Sequence, residues 1–336
     1  MGAGVTFVEN FVINDLDNFN GGHTVNFTID AGYASLLTTI DASSLDNDEP
    51  FRFNAANNLA TELVNVTGGD AYDYFAMGDN FNGGDTVNGG PGDNLLSAIT
   101  VTDGDFAHTS NIARYVLAGG AGDSAFLGGN AQNASITQVV DNVGNDTINA
   151  SGYTVSLTVY AVNGGNDSIT TGSGADYIVD NAGDDTINSG AFNDTVLAGP
   201  GNDSVTAGEG NDSVDGLAGN DTVSGGNGDD TIVGYASQVD GNDVLNGNAG
   251  NDTLQLSDGQ GNVNATINLP NFLGIENVTA VDTDSGLGQC LQRLQHCLRQ
   301  RQCRHRDAHQ RGWRRHQWPG IVLRCGRRRR AQCRPQ

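Results

Sequence analysis

Most of this chain lacks basic residues, cysteine and long apolar runs. Lysine is absent from all 336 residues, and residues 1–288 hold no cysteine and only two basic side chains, Arg52 and Arg114. No run approaches the roughly 18 consecutive apolar residues that a transmembrane helix requires. The absent cysteines exclude disulfides from residues 1–288. The shortage of basic side chains argues against nucleic-acid binding by the same region, and no membrane span is expected.

Charge divides the sequence into two parts. Residues 1–288 hold 39 of the 40 acidic residues, whereas residues 289–336 hold 14 of the 16 arginines, all five cysteines and one acid, Asp307. Residues 1–288, the body of the chain, are acidic enough to repel anionic membranes and to repel one another. The compact state of the body therefore needs counter-ions. Without them, carboxylate crowding and the ordering entropy of its many glycines should leave the body largely unfolded.

Residues 163–255 repeat every nine positions. Aspartates recur at this interval eight times without a slip, and the period resumes after a four-residue insertion at Tyr235–Gln238. An aliphatic residue follows two positions after each aspartate, and a glycine precedes nine of the ten by two positions; Phe192 is the exception. Residues 225–233 give the most regular copy, GGNGDDTIV. Chance phasing would not keep the aspartates and the aliphatics in step.

Each part of the repeat has a physical purpose. Glycine adopts positive φ and lets backbone carbonyls approach an ion closely. A carboxylate every nine residues supplies the hard oxygen ligands that calcium prefers. The aliphatic residue belongs to a short strand that cannot bury its face alone, so stacked coils must share a thin core. The alternative is an Asx- and glycine-rich loop array, or a disordered segment, that binds no ion.

The repeat resembles the RTX (repeat-in-toxin) calcium-binding family, whose consensus is G-G-x-G-x-D-x-U-x with U apolar. The resemblance implies an all-β fold, a right-handed parallel β-roll or β-solenoid, with calcium between turns stacked on one edge. Asp167 would then stack on Asp185, Asp203 and Asp221, with Asp176, Asp194, Asp212 and Asp230 on the opposite edge. Roughly six ions would fill the unbroken array. The implied ligands are Asp167, Asp176, Asp185, Asp194, Asp203, Asp212, Asp221, Asp230, Asp243 and Asp252, with Gly174, Gly183, Gly201, Gly210, Gly219, Gly228 and Gly250.

Four segments are expected. Residues 1–142 read as a strand-rich solenoid with degenerate repeats, in which Asn94 and Ser124 fill the aspartate position. Residues 143–256 form the calcium-binding β-roll, and residues 257–288 begin a further strand-rich repeat. Residues 289–336 form an Arg- and Cys-rich tail that is expected to be disordered. The chain is expected to be a piece of a longer repetitive protein.

The tail permits three interpretations. Its cysteines and histidines suggest zinc, but their spacing matches no known zinc motif. Arg327–Arg330 suggest generic nucleic-acid binding. If the reading frame is shifted by one nucleotide, the Arg, Gln, His and Cys codons of the tail can encode the Gly-, Ala-, Asp- and Ser-rich composition of the body. The favoured interpretation is therefore that the tail arises from a frameshift. The tail does not resemble the uncleaved C-terminal signal of type I secretion that the family typically uses, which leaves export of this chain in question.

No catalytic motif accompanies the repeats. The H-E-x-x-H, G-x-S-x-G and P-loop patterns are all absent, so an enzyme is not expected. The favoured function is a calcium-dependently folding module of a bacterial extracellular surface, adhesin or S-layer-like protein, whose partners are calcium and surface polysaccharide or further protein copies. The second hypothesis is the secretion and folding module of an RTX enzyme or toxin that lacks its catalytic domain. The third is a nucleic-acid binder acting through the basic tail.

Overall fold

The structure is a computed structural model, and it describes residues 8–13, 24–28, 37–46, 49–55, 63–79, 81–120, 122–216, 218–235, 238–239, 242–257, 266–269, 271–280 and 321–324. Within these ranges the secondary structure is almost wholly β. The exceptions are one 3₁₀ turn at Asp103–Phe106 and one short helix, α1 (Gly129–Asn133). None of the described helices has the length and apolarity to cross a membrane. The all-β prediction is confirmed.

The chain divides into two compact units, Met1–Tyr177 and Ile178–Gln336. Strands of the first unit are β1 (Val8–Val12), β2 (Val25–Thr28), β3 (Leu37–Asp41), β4 (Phe51–Asn54), β5 (Asn65–Thr67), β6 (Tyr74–Gly78), β7 (Thr86–Asn88), β8 (Leu95–Ala98), β9 (Thr109–Ser110), β10 (Arg114–Leu117), β11 (Ser124–Phe126), β12 (Gln138–Val140), β13 (Thr147–Asn149), β14 (Thr158–Ala161) and β15 (Ser168–Thr170). The next strand, β16 (Tyr177–Asp180), includes the last residue of this unit.

Successive strands of the first unit belong to alternate sheets. Even-numbered strands β2 to β14 pair in sequence order in one sheet, β1, β3, β5, β7 and β9 pair in a second, and β11, β13 and β15 pair in a third. Every one of these pairs is parallel. Parallel pairing between every second strand is the topology of a solenoid, in which each coil stacks on the one before.

The second unit repeats this plan. Its strands are β17 (Thr186–Asn188), β18 (Thr195–Leu197), β19 (Ser204–Glu209), β20 (Ser213–Asp215), β21 (Thr222–Asn227), β22 (Thr231–Tyr235), β23 (Val244–Ala249), β24 (Asp252–Ser257), β25 (Thr266–Leu269), β26 (Asn271–Leu273), β27 (Ile275–Ala280) and β28 (Ile321–Arg324). Strands β17, β19, β21, β23 and β26 pair in parallel, as do β18, β20, β22, β24 and β27.

Register in the second unit follows the nine-residue period. Val205 pairs with Val223 and Val196 with Val214, so partners lie two repeats apart along the chain. The insertion at Tyr235–Gln238 leaves the stack intact, because Val223 pairs with Leu245 on its far side. These aliphatic side chains are at most 2% exposed. They form the thin shared core that the repeat predicts, and each unit is a parallel β-solenoid.

Beyond the repeats, β25, β26 and β27 lie within residues 257–288. The further strand-rich repeat predicted for that segment stays a prediction. The tail predicted to be disordered lies outside the described residues except for Ile321–Arg324, which pair antiparallel with Thr266–Leu269. The predicted segment boundaries remain predictions.

Candidate metal centre

Two ladders of stacked aspartates run through the second unit. In each, one carboxylate oxygen, Oδ1, accepts the backbone N–H of the aspartate one coil earlier, at 2.8–3.0 Å. Each aspartate immediately precedes a strand or, in the case of Asp252, begins one, and every one is buried. One ladder is Asp185, Asp203, Asp221 and Asp243; the other is Asp194, Asp212, Asp230 and Asp252.

A glycine lies two positions before every ladder aspartate of this unit except Asp194, and the close stacking of the turns explains it. A Cβ added to Gly201 would lie 1.5 Å from the carbonyl oxygen of Gly183, and one on Gly219 would lie 1.7 Å from that of Gly201. The other predicted glycines of this unit make the same approach, since a Cβ would lie 2.2 Å from the preceding backbone oxygen at Gly210, 1.8 Å at Gly228 and 1.7 Å at Gly250. Only glycine lets the turns approach this closely.

The first unit holds the remaining predicted site residues. Asp176 Oδ1 accepts the N–H of Leu157 at 2.7 Å, and Gly174 lies against the backbone of Val155. Asp167 Oδ1 accepts the N–H of Asp146 at 2.8 Å. The carboxylate-to-amide ladder is therefore present in this unit as well.

A second, exposed ladder lies one residue before the aspartates, and the sequence analysis missed it. The side chain of Asp184 accepts the N–H of Asn202, whose side chain accepts the N–H of Asn220, at 2.8 and 2.9 Å. On the other edge the same contacts join Asn193, Asn211, Asp229 and Asn251. The repeated Asn or Asp at this position was the available signal. These solvent-facing bonds tie neighbouring turns together at a distance from the buried carboxylates.

Burial and crowding make the inner carboxylates electrostatically costly. Burial, together with the charges of Asp185, Asp221 and Asp184, raises the pKa of Asp203 to about 7. Burial likewise raises the pKa of Asp230 to about 6, and the pKa of Asp212 is raised for the same reason. A buried carboxylate becomes stable in its charged form only when a cation or strong donors compensate it.

Residues 1–288 supply little compensating positive charge of their own. Residues 1–288 contain only two basic side chains. The Oδ2 atoms of Asp203, Asp212 and Asp230 are buried and have no hydrogen-bond partner in the described part of the molecule. Buried, unpartnered carboxylate oxygens beside close-packed glycine carbonyls are a donor set for a hard, oxygen-seeking cation, and calcium fits it. These aspartates would hold the ion, and their negative charges would balance its positive charge.

One degenerate copy is corrected by the structure. Ser124 was predicted to fill the aspartate position, but Ser124 pairs with Thr147 and Ala125 with Ile148. Asp123 therefore occupies the position, and its N–H donates to Asp146 Oδ1 at 2.7 Å. The prediction was wrong because this turn is one residue shorter than the consensus. By contrast, Asn94 does fill the position in its copy, since its side-chain oxygen accepts the N–H of Asp73 at 2.9 Å.

Phe192 occupies a glycine position with φ of 76°, and its side chain is 64% exposed. A left-handed conformation costs a residue with a Cβ roughly 1–2 kcal/mol, and the exposed ring buries little in return. Phe192→Gly is therefore expected to raise the free energy of unfolding by about 1 kcal/mol, as measured by urea denaturation at saturating calcium. Phe126→Gly is the control, because Phe126 is also exposed but lies in strand β11; a loss of stability is expected there. A destabilised Phe192→Gly variant would contradict the assignment of strain.

The repeats match the model of a known protein family. The model of the RTX calcium-binding nonapeptide repeat matches residues 162–196, 197–234 and 239–261, with four copies. The interruption after residue 234 coincides with the Tyr235–Gln238 insertion. No curated protein and no solved structure matches the chain. Residues 162–261 therefore carry repeats of the RTX calcium-binding family.

Proposed function

We propose that this chain is a structural segment of a bacterial extracellular surface protein, of adhesin or S-layer-like type, whose solenoid folds when calcium binds. The family match establishes a calcium-binding β-roll module. The observation that carries the finer proposal is the extent of the solenoid. Parallel coils begin at β1 and β2, well before the matched repeats, and continue past them to β27. A long series of coils suits a spacer or surface layer better than a short appendage.

Calcium would control when this segment folds. Extracellular calcium modules bind with dissociation constants of about 10⁻⁴ to 10⁻³ M, far above cytosolic free calcium. A ligand that binds only the folded state adds its binding free energy to stability. The segment would therefore remain loose inside a cell and become rigid outside it, in keeping with a family whose members are typically secreted or surface-associated.

The second candidate is the secretion and folding module of an RTX enzyme or toxin whose catalytic part is absent. The β-solenoid is a structural calcium-binding fold, and the family match supports this candidate equally. Coils that keep the fold but depart from the repeat, such as the one ending at Asn94, favour the surface segment instead. An adjoining reading frame that encodes a hydrolase would decide for the second candidate.

A calcium titration tests the proposed folding. Far-UV circular dichroism of the purified chain is expected to show a coil-to-β transition between about 10⁻⁴ and 10⁻³ M calcium. Magnesium, which demands tighter octahedral geometry, should produce none, and an Asp203→Asn, Asp212→Asn double variant should shift the transition to higher calcium. A chain that is already β-rich in EDTA, or remains unstructured at 10 mM calcium, would contradict the proposal. Labelling of intact cells with an antibody against residues 143–256 tests surface location.

A further inference from the structure

Three buried carboxylates lie close together in the first unit. Asp141, Asp146 and Asp167 each offer one carboxylate oxygen, and these oxygens all lie within 4.8 Å of one another. The three residues are 2–3% exposed. Asp146 also joins the ladder already described, because its N–H donates to Asp167 Oδ1. Asp141 and Asp146 precede the family match, which begins at residue 162.

Asp141 occupies a position that contacts the ladder carboxylate elsewhere in the chain. It lies five residues before Asp146, as Gly225 lies before Asp230 and Gly247 before Asp252. A Cβ on either glycine would lie 2.3 Å from Oδ2 of its aspartate. A side chain at this position must therefore crowd the carboxylate, and here that side chain carries a second negative charge.

Two carboxylate oxygen atoms of this cluster accept no hydrogen bond. The Oδ2 atoms of Asp141 and Asp146 are buried and have no hydrogen-bond partner in the described part of the chain. Oδ1 of Asp141 accepts a long bond of 3.4 Å from Asn163 Nδ2. Such a cluster is stable when charged only if a cation sits among its oxygens.

An opening lies beside the cluster. Val143, Gly144 and Asn145, the residues between Asp141 and Asp146 other than Asn142, line a cavity of about 340 Å³ together with Gly120 and Gly122. Val143 is 57% exposed.

We propose that Asp141, Asp146 and Asp167 form a three-carboxylate calcium site that fills before the repeat sites that have no third carboxylate. Ligand charge and site rigidity set calcium affinity in proteins. Asp141 brings a charge to a position that holds an uncharged residue in every copy of the nine-residue array except the copy with Asp180. The site would be ordered first and would give the following coils a folded edge on which to stack. This inference rests on the proposed calcium-dependent function and adds to it a distinct site and an order of filling.

Isothermal titration calorimetry of calcium into the full, calcium-free chain tests the site. Wild-type protein is expected to show a tight phase, with dissociation constants about tenfold or more below the repeat sites. Asp141→Asn should remove one calcium equivalent from the tight phase. Asp215→Asn, which removes one charge from an exposed position in β20, should leave that phase unchanged.

Asp141→Gly provides the second test, because it restores the residue that Gly225 and Gly247 supply and so is compatible with the fold. It should lose the same tight equivalent while reaching wild-type β content at 10 mM calcium. Tight-phase stoichiometry that is unchanged in both Asp141 variants would overturn the three-carboxylate site while leaving the proposed function intact. Failure of the wild-type chain to bind calcium in any phase would overturn both.

Discussion

Gly201→Ala is expected to prevent the second unit from folding at physiological calcium. The new Cβ would lie 1.5 Å from the carbonyl oxygen of Gly183, and that atom belongs to the backbone, so no side chain can move aside. Relief requires separation of two coils that are joined by the Asp185 N–H to Asp203 Oδ1 bond at 3.0 Å. We expect a loss of at least 3–4 kcal/mol, on the order of the largest single-substitution effects. Urea denaturation at saturating calcium measures it.

The matched control is Gly120→Ala. A Cβ added there would meet no atom within 4 Å, and its φ does not lie in the left-handed region, so we expect a change within about 0.5 kcal/mol. Equal losses in the two variants would show that general glycine loss, rather than the approach of one turn to the next, is responsible. A Gly201→Ala protein as stable as wild type would refute the tight stacking itself.

Acidic pH is expected to fold the calcium-free chain, because protonation removes the carboxylate charges that calcium otherwise balances. The folded-state pKa of Asp203 is about 7 and that of Asp230 about 6, both above the ordinary value of 3.8. Between about pH 4 and 7 the folded state therefore binds more protons than the unfolded state, and stability without calcium falls as pH rises. Each pKa unit corresponds to about 1.4 kcal/mol, so the shifts of these two aspartates together are comparable with typical domain stability. Calcium-free chain should be β-rich near pH 4 and largely coil at pH 7.

Circular dichroism in resin-treated buffer, read at both pH values, measures this effect. At 10 mM calcium the dependence should reverse, because protons then compete with the ion for the same oxygens. Asp203→Asn keeps an acceptor for the Asp185 N–H but no longer titrates, so its calcium-free form should retain more β structure at pH 7 than wild type. Identical spectra at pH 4 and pH 7 without calcium would contradict the buried-carboxylate account.

The fold was predictable where sequence period and coil length agree. In the second unit one period of nine residues fixes the turn, the strand and the inward side chain, so the pairing of Val205 with Val223 follows from counting. The first unit has coils of variable length. There the aspartate position moved from Ser124 to Asp123, because pairing is decided by which residue the core accepts, and Ala125 rather than Phe126 is buried.

The candidate site was predictable in its repeated members only. Asp203 and Gly201 could be named because copies of each recur at fixed spacing. Asp141 could not, since the position five residues before the aspartate varies from copy to copy, and the proximity of Asp141 to Asp146 and Asp167 depends on the course of the turn. The nine-residue period identifies the residues that recur from coil to coil. A site residue that does not recur can be found only from its contacts in the structure.

The ladder bonds have a polarity. In the buried ladders the earlier residue donates its N–H and the later residue accepts with its carboxylate, as Asp185 does with Asp203 and Asp203 with Asp221. In a stack that grows from its N-terminal end, the newest coil therefore presents a buried amide whose acceptor is not yet in place. Each coil is completed by its successor, and the stack matures one coil behind its growing end.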